Sequence, residues 1–242
     1  MAANKKAIVV GGSSGLGRAL ALLLAAKGYE VGVTARRLDL LESLREEAGP
    51  AVRIRQMDLA DANEAARGMS QLIAEMGDVD LVVHCAAISI INKQLGWPAQ
   101  VETIAVNVQG FAAIATVVMH HFIDQKRGHF VSISSTAALR GLPDQPEYAA
   151  SKAFVSRYVD GLRHKVFKLG LPITITDIQP GFMDTRMAND DNVFWAAPPE
   201  KAAAQVYRAI RRKRKHAYVT RRWRLIAWFM KYAPDWLFHR VG

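Results

Sequence analysis

One cysteine in 242 residues leaves no partner for an internal disulfide, and a lone thiol, Cys85, points to a reducing compartment. Long hydrophobic runs are missing as well. After Lys5 and Lys6 the apolar stretch lasts only from Ala7 to Val10 before glycines interrupt it, too short for the core of a secretory signal. No stretch approaches the roughly 20 consecutive apolar residues of a spanning helix. The expectation is a cytoplasmic protein, or one held peripherally on the cytosolic face of a membrane. Acid is also scarce toward the C-terminus. From Gln205 onward eleven Lys or Arg face one carboxylate, Asp235, and this surplus equals the net charge of +10 of the whole chain. Residues 1–204 are neutral, so the high overall charge is no argument that the body binds nucleic acid.

Half of the residues are apolar, enough for a sizeable core, and the length suits one α/β domain better than two. Short β-rich segments occur at 6–11, 29–34, 52–56, 79–84, 129–134 and 172–178, with AYVT at 217–220 as a last strand. Stretches of helical periodicity, such as Leu16, Leu20, Leu23 and Leu24, lie between them. Apolar strands alternating with helices predict a doubly wound, Rossmann-like parallel sheet of about seven strands. We expect residues 1–220 to form this domain and residues 221–242 a basic, aromatic, amphipathic helical extension.

GGSSGLG at 11–17 follows the first strand and opens a helix. Gly11 or Gly12 allows a tight turn, Gly15 lets backbone approach a pyrophosphate, and Gly17 permits close packing of helix on strand. Ser13, Ser14 and Leu16 complete this cofactor loop. The second strand ends in Thr34-Ala35-Arg36-Arg37, where an NAD enzyme would place an acid for the ribose hydroxyl; an arginine suits a 2′-phosphate instead. Arg36 is the first choice for that contact and Arg37 its neighbour. Farther on, EYAASK places Tyr148 and Lys152 four residues apart, on one face of a helix. SISS ends at Ser135, just past a strand, and Asn107 lies in a helix-like stretch between the fourth and fifth strands.

Taken together, GGSSGLG, the Ala-Arg pair, Asn107, Ser135, Tyr148, Lys152 and IQPGFMDT at 178–185 resemble the short-chain dehydrogenase/reductase family over residues 6–210. The resemblance implies an NADP(H)-dependent enzyme that interconverts a ketone and a secondary alcohol, with Asn107, Ser135, Tyr148 and Lys152 as its catalytic tetrad. Tyr148 would be the general acid or base, Ser135 would hydrogen-bond the substrate carbonyl, and Asn107 would hold a water leading to Lys152. A free tyrosine has a pKa near 10, and the Lys152 ammonium is expected to lower it. Tyr148 and Lys152 would also touch the cofactor. Asp58 and Leu59 of MDLAD would lie at the adenine, Ala86 and Ala87 beside the cofactor, and Pro180, Gly181 and Thr185 at the nicotinamide. Where the family has Asn-Asn-Ala-Gly, this chain has His84-Cys85-Ala86-Ala87. His84 and Cys85 are wrongly spaced for a metal, so no metal site is expected, and both are read as satisfied core residues.

By the same resemblance the substrate would meet Ser135, Leu142, Phe182 and Met183, near Ile88, Ile90, Ile91, Leu139, Phe194 and Trp195. This apolar lining suits a lipid-like or steroid-like carbonyl compound or alcohol. A homo-oligomer, dimer or tetramer, is implied as well. A second reading makes the chain a catalytically idle NADP-binding sensor acting through its tail. In that tail Trp223, Ile226, Ala227 and Met230 form one apolar stripe, which Leu225, Trp228, Phe229 and Tyr232 widen, with Arg221, Arg222, Arg224 and Lys231 at its flanks. Three uses stay open: peripheral membrane contact, packing on the body or a partner subunit over the active-site mouth, and nucleic acid, which the apolar face makes the poorest fit.

Overall fold

The computed structural model describes residues 5–181, 197–220 and 222–236. Seven strands form one sheet: β1 Lys6–Val10, β2 Glu30–Ala35, β3 Val52–Gln56, β4 Leu81–His84, β5 Gly128–Ile133, β6 Ile173–Pro180 and β7 His216–Val219. Their order is β3-β2-β1-β4-β5-β6-β7 and every neighbouring pair is parallel. All carboxyl ends therefore share one edge. The order reverses between β1 and β4, where loops leaving adjacent strands diverge and open a crevice. The doubly wound sheet expected from the sequence is present, and the strand bounds agree to within about two residues.

Two-residue alternation divides the side chains of each strand between the two faces of the sheet. Ile8 and Val10 of β1, with Val82, Phe130 and Ile175, face α3 (Ala62–Met76), α5 (Phe111–Asp124) and α6 (Pro146–Lys168). Ala7 and Val9, with Val31, Val33, Val83 and Val131, face α1 (Gly15–Ala26), α2 (Leu38–Ala48) and α7 (Pro199–Arg211). Burial on both sides explains why the strands read as apolar runs. Local signals start the helices: the Asp61 side chain accepts hydrogen bonds from the amides of Asn63 and Glu64 at the start of α3. After β7, α8 (Trp223–Tyr232) buries Trp223 and Ala227, and it packs on β7 and on the 3-10 turn Thr136–Leu139.

One expectation needs correction. The helical run Trp97–Asp124 is long and apolar enough, by length and composition, to cross a membrane. It comprises α4 (Trp97–Ile104), a π-helical turn Ala105–Gly110, and α5. Phe111, Ile114, Ala115, Val118, Met119 and Phe122 are buried in the core facing α3 and α6, which accounts for the apolar composition.

His84 and His129 are buried on β4 and β5, and burial lowers their pKa values from 6.5 to about 3 and about 4. Both are neutral in the folded chain at pH 5, whereas the unfolded chain takes up protons below pH 6.5. Stability is therefore full above that pH and is lost as pH falls toward the folded values, each histidine contributing up to about 1.4 kcal/mol per pH unit. Urea midpoints should drop between pH 7 and pH 5, and the drop should be shallower in a His84→Gln, His129→Gln chain.

Candidate active site

The turn after β1 brings backbone, not side chains, to the crevice. Gly11 adopts φ +87°, which a side chain would strain, and the amides of Gly11 and Gly12 donate to the Thr34 carbonyl at 2.7 and 3.0 Å. A Cβ on Gly17 would lie 2.1 Å from the Gly11 oxygen, so only glycine lets α1 start this close to the turn. Ser14 precedes α1 in extended backbone, and its side chain does not cap the helix. The first-turn amides thus keep the donor capacity and positive dipole end that suit a pyrophosphate. Leu16 is buried beneath them. The residues fit a dinucleotide phosphate.

Two arginines follow β2, and they differ. Arg37 Nη2 donates to Ser13 Oγ and Ser14 Oγ, both at 2.9 Å, so its cation lies on the glycine-rich loop. Arg36 is exposed, and its carbonyl accepts from Gln56 Nε2. Asp58 Oδ1 accepts from the Ala60 amide at 3.0 Å, and Leu59 is buried. Across the crevice the amides of Cys85 and Ala86 donate to the Val10 carbonyl. A Cβ on Gly11 would come within 2.6 Å of the Ala86 backbone, so the loops after β1 and β4 touch.

The polar cluster lies at the ends of β5 and the start of α6. Ser135 lies beside Tyr148, near enough to act on the pKa of the phenol, and its Oγ accepts from the Ala137 amide at 3.1 Å. One turn along α6, Lys152 is 4% exposed; its Nζ donates to the Ile133 carbonyl at 3.1 Å and sits 5.7 Å from the centroid of the Tyr148 ring. Burial raises the Tyr148 pKa, opposed by the neighbouring Ser135 hydroxyl. Burial also lowers Lys152 to about 8, opposed by the nearby Asp177 and Cys85. The expected lowering of Tyr148 by the ammonium is therefore corrected. In this arrangement Lys152 is engaged with a main-chain carbonyl, and desolvation favours the neutral form of both groups.

Asn107 occupies the π-helical turn. Its Oδ1 accepts from the Ile88 amide at 2.8 Å, and its Nδ2 donates to the Ile88 carbonyl at 2.8 Å and to Ser151 Oγ at 3.1 Å. It ties the loop after β4 to α6 next to Lys152. His84 is buried edge-on against Phe111, with ring centroids 4.9 Å apart, and among the described residues its Nε2 has no hydrogen-bond partner. The reading of His84 as a satisfied core residue is corrected in that respect. On the substrate side Ile88, Ile90, Leu139 and Leu142 are partly buried and Ile91 is 52% exposed. Phe182, Met183, Thr185, Phe194 and Trp195 lie outside the described residues.

Two roles escaped the sequence reading, that of Asp177 and that of Arg140, which the sequence marks only as a charged neighbour of the apolar substrate side. Asp177 of β6, 2% exposed, accepts from Ser134 Oγ at 2.5 Å, Ser156 Oγ at 2.8 Å and Gln179 Nε2 at 3.4 Å. A single acid inside ITITDI was its available signal. Arg140 Nε donates to the Met230 carbonyl at 2.7 Å, and its Nη atoms reach the Ala233 carbonyl and Asp235, fastening α8 to the segment after Ser135. Beside it Trp223 lies on Gly181, where a Cβ would meet the indole at 1.9 Å. No periodicity announces either contact.

A family model described as short chain dehydrogenase matches residues 5–194. An uncharacterized oxidoreductase of Myxococcus xanthus is 39% identical over 193 residues, 78% of this chain and 76% of that protein. The NADP-dependent 3-hydroxy acid dehydrogenase YdfG of Salmonella typhimurium is 29% identical over 196 residues, 76% of this chain and 77% of its own. Among solved structures, a short-chain dehydrogenase/reductase of Burkholderia phymatum in complex with NAD superposes with a TM-score of 0.85 at 19% identity, covering 93% of this chain and 92% of that one. An actinorhodin polyketide ketoreductase with NADPH gives 0.80 at 22% identity, covering 90% and 97%.

Replacing Asp177 tests how much of this site depends on one carboxylate. Asp177→Ala takes an acceptor from buried Ser134 and Gln179 and from half-buried Ser156. Ser134 keeps the Ile178 carbonyl and Gln179 keeps Ser156 Oγ as weaker alternatives, so each lost bond costs about 1 kcal/mol. We expect chemical denaturation to show a loss of about 3 kcal/mol, and Ser156→Ala a loss of about 1 kcal/mol.

Proposed function

Because the chain belongs to the short-chain dehydrogenase family of oxidoreductases, we propose that it interconverts an apolar ketone and its secondary alcohol with NADP(H) as the hydride carrier. The observation that carries the reading is Tyr148 beside Ser135 and one helical turn from the buried Lys152, whose Nζ lies 5.7 Å from the centre of the phenol ring. The loop from Gly11 to Gly17 would hold the pyrophosphate at the open start of α1. Asp58 and Leu59 would border the adenine, and Ala86, Ala87, Pro180 and Gly181 the nicotinamide end.

When bound, NADPH supplies the hydride to the carbonyl carbon. Ser135 hydrogen-bonds the carbonyl oxygen, and Tyr148 transfers its proton to that oxygen as charge develops on it. The proton lost from Tyr148 returns from solvent. Lys152 holds a positive charge beside the ring, and Asn107 keeps the loop after β4 in register with α6. A phenol is protonated at neutral pH, which is the form that a proton donor needs in the reductive direction. Ile88, Leu139 and Leu142 support an apolar substrate. The apolar exposed face of α4, with Trp97, Val101 and Ile104, supports a homo-oligomer.

Preference for NADP(H) is supported by Arg37 on Ser13 and Ser14 with Arg36 beside it, and by a relative named as NADP-dependent. The Burkholderia neighbour carries NAD, so the arginines bear the argument. Tyr148→Phe should lower NADPH-dependent reduction of a test ketone by about 10²–10⁴-fold while leaving the fold intact by circular dichroism. Arg36→Ala and Arg37→Ala should each erode the preference for NADPH over NADH. Equal affinity for the two cofactors in the unaltered chain would overturn that assignment.

A further inference from the structure

The outer side of α8 is built differently from its inner side. Trp223, Ala227 and, just past the helix, Ala233 are buried against the body. On the other side Leu225, Trp228 and Tyr232 fall at i, i+3 and i+7 and are 72%, 65% and 61% exposed, and Trp236 beyond them is 63% exposed. The Trp228 and Tyr232 rings pack at 5.7 Å, and the Lys231 ammonium lies 5.4 Å from the Tyr232 ring. Large apolar side chains exposed together on one helix face mark an interaction surface more often than singly scattered ones do.

Beside this face runs a groove of about 520 Å³ between the end of α7 and β7. Arg208, Arg212, Arg214, Arg224, His216 and Tyr218 line it, and no lining residue is acidic. Arg224 belongs to both the groove and α8, so the cationic groove and the apolar face are continuous. These residues also lie in the segment that carries the entire charge surplus of the chain.

We propose that the groove and the outer face of α8 together form a docking surface for an anionic lipid bilayer. Guanidinium forks suit phosphate headgroups, and indole and phenol rings suit the boundary between headgroups and acyl chains. An amphipathic helix with cations at its flanks lies in that plane. A second copy of the chain is disfavoured as occupant, because a two-fold contact would set one arginine groove against another. Nucleic acid would engage the arginines and leave the apolar face in water. The surface is built from residues other than Ser135, Tyr148 and Lys152, on which the redox reading rests.

The test is co-sedimentation of the full chain with phosphatidylcholine vesicles, with and without phosphatidylglycerol, at low and high salt. Binding should require phosphatidylglycerol, weaken with salt, and shift the tryptophan emission to the blue. Arg212→Gln, Arg214→Gln and Arg224→Gln together should lower partitioning about fivefold per arginine. Trp228→Ala with Trp236→Ala should lower it about tenfold per indole. Failure of the unaltered chain to bind anionic vesicles at low salt overturns the proposal, as does binding indifferent to both sets of substitutions. It is equally overturned if inorganic phosphate or an oligonucleotide raises the melting temperature while vesicles are ignored. So does a dimer, seen by light scattering, that the tryptophan substitutions dissolve in a chain that ignores vesicles. Ketone reduction measured in the same samples keeps the two readings apart: vesicle binding without reduction sinks the proposed activity alone.

Discussion

A carboxylate shut away from water dictates the arrangement of the carboxyl edge of the sheet. Removing Asp177 from solvent is costly unless its oxygens are hydrogen-bonded, and donors come from three separate elements. Each donor adjoins a residue of the candidate site. Ser134 precedes Ser135, Ser156 stands one turn beyond Lys152 on α6, and Gln179 precedes Pro180 and Gly181. Satisfying one buried charge therefore fixes the relative positions of β5, β6 and α6. The same charge acts on Lys152, where its attraction opposes burial and helps hold the ammonium near about 8 rather than lower. Packing and electrostatics are here a single constraint.

The parallel sheet was legible because burial on both faces leaves continuous apolar strands, and the glycine turn because a close backbone approach admits only glycine. Tyr148 and Lys152 were legible because a spacing of four means one helix face. What a side chain does once placed was not. Arg36 and Arg37 are equivalent as letters, yet only Arg37 reaches the serines of the cofactor loop. It lies two residues past β2 and leads into α2 with extended backbone, and the preceding arginine is exposed. The commitment of Asn107 to Ile88 and Ser151 also depends on a π-helical turn, which apolar periodicity does not distinguish from an α-helix.

The run Trp97–Asp124 shows the same limit from the other side. Composition alone cannot tell a helix buried among other helices from one suited to lipid, because both face apolar surroundings. Contacts decide the matter here: Phe111 meets His84, Phe130, Phe154 and Tyr158, rings from three other elements. The apolar residues of α5 are spent on the core, whereas Trp97, Val101 and Ile104 of α4 stay exposed.

α8 reverses that logic. The sequence showed an apolar helix too broad for one seam, and the structure divides it into a stripe that the body covers and a face that water meets. Packing on the body and engaging an external surface are therefore compatible, because they use opposite sides of one helix. Arg140 and the indole on Gly181 hold the inner side to the segment after Ser135 and to the turn after β6. Few contacts make this attachment, two of them from a single arginine to main-chain carbonyls. Main-chain acceptors do not depend on the side chains they carry, so the link from Arg140 fixes where α8 lies without dictating which residues stand at positions 230 and 233.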